Sequence, residues 1–350
     1  MTSSLTTGIL VLASLPSLST PQFLAPTIIS AANAASSRLR IVLFSQLFDP
    51  DAISHTQSWD NVQRLLTYVY VQATKIAQDK DNPLLQIDVL LKGLNAQEAL
   101  PENIGEGCEL VYRVSGGIKH SYLLPFLAYT RYHRRDSSSP SFCPARALPP
   151  LQVNVPSMLP VVALGGTFDH LHAGHKILLS MAAWITSRKL IVGVTDDTLL
   201  KSKSNAHVLE SLDTRRNNVR EFLELFKPGL EYDIVTINDV YGPTGWDLDI
   251  QGLVVSRETI NGAEMISTHR EKEQLPKLSV FIIDVISHTS SNITEDDLSL
   301  MRQTKMSSTH IRNWIAMHEK QHYQPQNQQV DGESKPVERG QVGWISSQDA

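Results

Sequence analysis

The residues between Leu164 and Lys176 are those that a phosphate site needs. Two adjacent glycines, Gly165 and Gly166, open backbone conformations closed to other residues and let a ligand come close to the main chain. Thr167 adds a hydroxyl donor. His172 and His175, three apart, fall on one side of a helix's first turn, with Gly174 keeping the space between them open. An imidazole donates to a phosphate oxygen while neutral and can gain charge as negative charge builds up. The unpaired amides and positive dipole end of a helix amino terminus favour the same anion. Three histidines this close could instead hold zinc, but no cysteine or carboxylate pattern accompanies them.

A second cluster stands far downstream. Ser307, Ser308 and Thr309 are helix-capping residues whose hydroxyls and free amides can hold phosphate oxygens, and Arg312 lies one turn further on the same side. A flat guanidinium makes paired bonds to phosphate. Between the clusters, Thr195 to Lys203 offers Lys201 and Lys203 to reacting phosphates, Tyr241-Gly242-Pro243-Thr244 is a turn by composition, and Val254 to Thr259 leads into a helix carrying Arg270.

These groups need elements to position them. Leu159 to Leu164 reads as a buried strand and Ile177 to Ile185 as a buried helix, so the first cluster is a strand-to-helix turn. Lys189 to Val194, Glu231 to Ile237, Gly252 to Val255 and Leu278 to Ile286 read as further strands. Thr214 to Phe226, Glu258 to Gln274 and Ser307 to His318 read as helices. The alternation predicts a Rossmann-like, doubly wound parallel sheet over 159–320, with ligands beyond the carboxyl ends of its strands.

Upstream, strand and helix units over 1–130 predict a smaller α/β domain: strands at Gly8 to Ser14, Leu39 to Leu47 and Leu85 to Leu91, helices at Pro21 to Ser37 and Trp59 to Ala77. No motif there carries chemistry; turn duty explains Asp49-Pro50-Asp51 and Ser115-Gly116-Gly117. Arginines, serines and prolines make 131–158 an expected linker, and 321–350 an expected disordered tail.

Composition sets outer bounds. With 31 basic and 36 acidic residues in 350, no large field invites nucleic acid. Two cysteines cannot build a disulfide scaffold, which suits a reducing, cytoplasmic setting. The apolar stretch Gly8 to Leu15 has no Lys or Arg before Arg38 and is interrupted by Pro16, so neither a leader nor a membrane span is expected.

The first cluster resembles the His-x-Gly-His signature of the nucleotidyltransferases and the second their Ser-Ser-Thr-x-x-Arg signature. Together with Tyr-Gly-Pro-Thr and Val-Val-Ser-x-Glu-Thr, in that order, the set resembles the phosphopantetheine adenylyltransferases of eukaryotic and archaeal type. The resemblance implies transfer of AMP from ATP to 4′-phosphopantetheine, with Mg²⁺ bridging the nucleotide phosphates. It implies His175 and one of Lys201 or Lys203 at the reacting phosphates. Gly165, Gly166, Thr167, Phe168, His172, Ser307, Ser308, Thr309 and Arg312 would bind nucleotide, and Thr167, Lys201, Arg257 and Arg270 the acceptor. It also implies association with other coenzyme A pathway enzymes and, since the chain soon becomes tail after Arg312, no fused dephospho-coenzyme A kinase. Where the family has an asparagine four residues before an arginine, this chain has Ile266. Rival readings are a cytidylyltransferase, whose second signature fits Gln303 to Ser307 poorly, and a nicotinamide mononucleotide adenylyltransferase, whose first signature has Asn and Pro at Asp169 and His170. A regulator that kept the site without activity is the third.

Overall fold

The structure is a computed structural model that describes residues 6–94, 101–114, 131–134, 156–283 and 307–322. The turn at 115–117, most of the expected linker and the tail beyond 322 lie outside the described residues.

The first half runs β1 (Thr6–Ser14), α1 (Ala25–Ala34), β2 (Ala35–Phe44), α2 (Trp59–Asp79), β3 (Gln86–Lys92), β4 (Leu110–Arg113) and β5 (Arg131–Arg134). Its sheet has the order β3-β2-β1-β4-β5, and every pair is parallel. The central strands are buried along most of their length, as strands covered on both faces must be. In α2 the buried Val62, Leu65, Leu66, Val69, Tyr70, Ala73 and Ala77 recur at helical spacing and face the core.

The second half runs β6 (Leu159–Gly166), α3 (Ala173–Ile185), β7 (Thr186–Thr195), α4 (Leu212–Phe226), β8 (Glu231–Ile237), β9 (Gly252–Ser256), α5 (Ile260–Lys272), β10 (Ser279–Ile283) and α6 (Ser308–His322). Its sheet has the order β10-β9-β6-β7-β8, again parallel throughout. Counted from its own first strand, each half has the order 3-2-1-4-5. In the second sheet the order reverses between β6 and β9, and the Gly165–Lys176 stretch leaves the carboxyl end of β6 at that point, where open α/β sheets hold ligands.

Three expectations shift. The helix placed over Pro21–Ser37 ends at Ala34, because Ala35 turns extended and starts pairing with β1. The strand placed over Leu39–Leu47 ends at Phe44, where the Ser45 hydroxyl accepts from Leu47 N–H and closes a short turn. Arg131–Arg134, assigned to the linker, pairs with β4 as an edge strand.

The two halves share one continuous buried core, from Ile9 and Val69 to Ile177, Leu190 and Phe222, with α2 packed on α3. A second apolar cluster, including Val161, Ala163, Ile191, Val255, Ala263 and Ile266, lies under α5. The second sheet therefore carries α3 and α4 on one face and α5 on the other. Among the described residues no helix is long and apolar enough to cross a membrane.

Candidate active site

The turn after β6 positions two imidazoles. His172 is the N-cap of α3, and its Nδ1 accepts from Gly174 N–H at 3.2 Å, which leaves the proton on Nε2. The His172 and His175 rings stack at 3.9 Å and 24°, with Phe168 tilted against His175 at 5.4 Å. Burial pushes His172 down to about 4, against the raising effect of Asp169. Burial, and then His172, hold His175 well below the usual histidine range. Both rings are therefore neutral donors at neutral pH. His175 Nδ1 is buried without a hydrogen-bond partner.

The glycines act differently from expectation. Gly165 and Gly166 continue the strand, and the left-handed conformations fall on Phe168 (φ 53°) and His170 (φ 45°). What Gly166 supplies is room: a Cβ there would stand 3.1 Å from the Phe168 ring. Left-handed backbone at a phenylalanine is costly, so its surroundings must hold it in place.

They do so through the second cluster. The Asp169 carboxylate, fully buried, pairs with Arg312 Nη1 at 2.5 Å and accepts from Glu210 N–H at 3.0 Å. Ser308 Oγ donates to the Asp169 carbonyl at 2.8 Å, and His170 N–H donates to the Glu210 carboxylate at 2.7 Å. The two signatures, some 140 residues apart, thus meet at one rim of the sheet. Ser307 caps α6 by accepting from His310 N–H.

Arg312, expected among the nucleotide-binding residues, is enclosed by protein groups. It is 2% exposed, and besides Asp169 it donates to the Ser204 carbonyl at 2.9 Å and to Thr309 Oγ1 at 3.2 Å, so it clamps the two signatures together. Arg270, expected on the acceptor, is buried and donates to the carbonyls of Thr244, Asp247 and Pro276; it braces the Tyr241–Thr244 turn from behind. Lys201 and Lys203 stand exposed on the loop after β7, Thr167 is half-buried at the head of the turn, and Arg257 is exposed in the short turn after β9. Glu258 beside it lies near enough for its charge to act on His172.

Arg215 escaped sequence reading. Fully buried, it donates to the carbonyls of Thr167 (2.7 Å), Thr195 (2.9 Å) and Glu210 (3.1 Å) and pairs with Asp197. It ties the carboxyl ends of β6 and β7 beneath the phosphate turn. The signal was present: Arg215, Val219, Phe222, Leu223 and Phe226 lie on the buried stripe of α4, where an arginine needs a dedicated set of acceptors. Ligand atoms of Asp169, His170 and Glu210 lie within 4.8 Å of one another, but His170 Nε2 donates to the Val208 carbonyl and Asp169 is engaged by Arg312, so these groups lace the turn together.

The Cytidylyltransferase-like family matches residues 163–314, which contain every group of this site named above. A phosphopantetheine adenylyltransferase of Pyrobaculum aerophilum is 36% identical over 135 residues, which cover 37% of this chain and 86% of that protein. The chain belongs to the phosphopantetheine adenylyltransferase family. A member from Pyrococcus abyssi is 35% identical over 127 residues, 36% of this chain and 78% of its own length. A phosphopantetheine adenylyltransferase of Saccharomyces cerevisiae is 43% identical over 167 residues, covering 48% of this chain; the match spans about half of that relative, 52%.

Proposed function

We propose that the chain transfers AMP from ATP to the phosphate of 4′-phosphopantetheine, giving dephospho-coenzyme A and pyrophosphate. The observation that supports this reading best is the lashing of Ser308 and Arg312 to Asp169, which brings the amino termini of α3 and α6 to one rim. Two helix amino termini at one rim suit a triphosphate.

The acceptor is already an anion and needs no base. An acceptor phosphate oxygen attacks the α-phosphorus of ATP, the bond to the bridging oxygen breaks, and pyrophosphate leaves with those electrons. The chain's part is to offset repulsion between anions, align the attack and stabilise charge on the bridging and leaving oxygens. His175 is assigned to the α-phosphate and His172, through Nε2–H, to the neighbouring nucleotide phosphates. Burial suits both: a ring kept neutral donates without presenting a second cation to Lys201 or Lys203.

Thr167 with Lys201 or Lys203 would hold the acceptor phosphate. Ser307, Thr309 and the free amides of α6 would hold the leaving pyrophosphate, with Arg312 fixing their position from behind. The donor set of the rim is hydroxyls, amides and cations, with Asp169 engaged by Arg312, so Mg²⁺ fits as an ion carried by the phosphates and water, where it would neutralise phosphate charge. Cytoplasmic work, and association with enzymes that act before and after this step, follow from the same reading.

Pyrophosphate release, measured with ATP or CTP against phosphopantetheine, phosphocholine and nicotinamide mononucleotide, tests it. Release with ATP and phosphopantetheine alone is expected. Release with CTP and phosphocholine, or with nicotinamide mononucleotide, would replace the reading, and no release with any pair would leave a nucleotide-binding regulator.

A further inference from the structure

Lys176 follows His175 directly and lies one helical turn beyond His172, so all three share the first turns of α3. Its side chain leaves the second half of the chain altogether. The ammonium donates to Asp88 Oδ1 at 2.7 Å and to the Ile87 carbonyl at 2.9 Å, both on β3 of the first half, and both side chains are buried. Arg40 stands 3.6 Å from the same carboxylate and is itself fixed on the carbonyls of Asn103 and Ile104. Burial alone would push the Asp88 carboxyl up; the Lys176 ammonium, with Arg40 and Arg38, outweighs that and holds it below the usual carboxylate range.

The other end of α3 is gripped by the same half. The Trp184 indole stacks on His55 at 3.8 Å and 7°, and its Nε1–H points at the His55 carbonyl (3.1 Å) and Ser58 Oγ (3.3 Å), while His55 Nδ1–H donates back to the Trp184 carbonyl at 2.6 Å. Lys92 at the end of β3 donates to the carbonyls of Leu225 and Phe226 at the end of α4. Trp314 and His318 of α6 both meet Asp81. The helices that carry both signatures are thus held by the first half.

A buried ion pair is a poor source of stability, since apolar groups of similar volume serve as well. What apolar groups do not supply is direction. Two acceptors in fixed places set where Lys176 Nζ must lie, and with it the rotation of α3 about its axis and the aim of the two imidazoles.

We infer that the first half of the chain is a positioning element for the phosphate-binding helix, with Asp88 as the positioning residue that sets His172 and His175 through Lys176. The inference rests on the adenylyltransferase reading for its kinetic arm only. Asp88, Lys176 and His172 line one cavity of about 800 Å³, and the Lys176 ammonium also faces the Phe222 ring at 5.6 Å.

The test uses the full chain with Asp88→Asn, Asp88→Glu and the double variant Asp88→Asn/Lys176→Met, which removes the lysine charge with the carboxylate and leaves Arg40 on the carbonyls of Asn103 and Ile104, so that it remains measurable if the single variant does not fold. Turnover is measured well below each variant's melting temperature. Asp88→Asn and the double variant are expected to lose about tenfold to a hundredfold in kcat, the scale of a misplacement near 1 Å, with KM for ATP changed less than about threefold and Asp88→Glu recovering most of the loss. In spectra of ring-labelled histidine, the His172 and His175 signals are expected to shift in both, while those of His207 and His269 stay. Full kcat with unmoved His172 and His175 signals, whatever happens to the melting temperature, overturns the inference. If the wild-type chain makes no dephospho-coenzyme A, the functional reading fails by itself and the histidine signals still decide this one.

Discussion

Asp169→Asn attacks the contact that joins the two signatures. The substitution keeps the shape and leaves an oxygen for Glu210 N–H, but turns an amide NH2 toward Arg312, which is 2% exposed and retains as acceptors the Ser204 carbonyl and Thr309 Oγ1. Breaking a buried pair by removing one partner costs about 3–5 kcal/mol; with the Glu210 bond kept, the lower figure, about 3 kcal/mol, applies. With a urea slope of about 2 kcal/mol per molar, the unfolding midpoint should fall by about 1.5 M, inside the usual stability of 5–15 kcal/mol, so the chain still folds. The assay is urea unfolding followed by tryptophan fluorescence, repeated for Arg312→Met and for the double variant. The double variant leaves no unpaired buried charge and should cost at least about 1.5 kcal/mol less than the sum of the singles. A midpoint for Asp169→Asn within about 0.3 M of wild type, or costs that add to within about 0.5 kcal/mol, would refute the clamp.

His175→Ala should lower turnover by about a hundredfold while calorimetric ATP affinity barely changes; near-normal turnover would remove His175 from the mechanism. His55, His172 and His175 all sit below their ordinary value, at about 4 for the first two, so the folded chain binds fewer protons than the unfolded one between about pH 4 and 6.5. Their contribution is complete above pH 6.5 and is lost as pH falls toward 4, at up to about 1.4 kcal/mol per pH unit for each ring. Unfolding midpoints that stay level from pH 7 to 5 would contradict this. Arg215→Lys keeps the charge but loses the fork that reaches Thr167, Thr195 and Glu210; turnover should drop about tenfold or more, and an unchanged rate would deny it a role in holding the phosphate turn.

The sites were legible where chemistry and local pattern coincide. The apolar run into Gly165, the histidines three apart and the capping run at Ser307 can be read from a window of ten or so residues, and the structure brings those windows together. What escaped was set by distant partners. Nothing near Lys176 announces Asp88, and nothing near Arg312 or Arg270 tells whether a guanidinium faces solvent or backbone carbonyls. Conformation misled as well: glycines advertise left-handed backbone, yet at this turn Phe168 and His170 adopt it, held by contacts outside the window. The strand order of the first half was likewise hidden, since pairing of β1 with β2 and β4 leaves no mark on the composition of any one strand.

The clamp on Asp169 also fixes when the protein comes to life on the ribosome. A nascent chain released as far as Ile283 already owns all five strands of its second sheet and the turn bearing both imidazoles, yet Ser308 and Arg312 have not emerged. Until they arrive, the left-handed turn lacks its fastening.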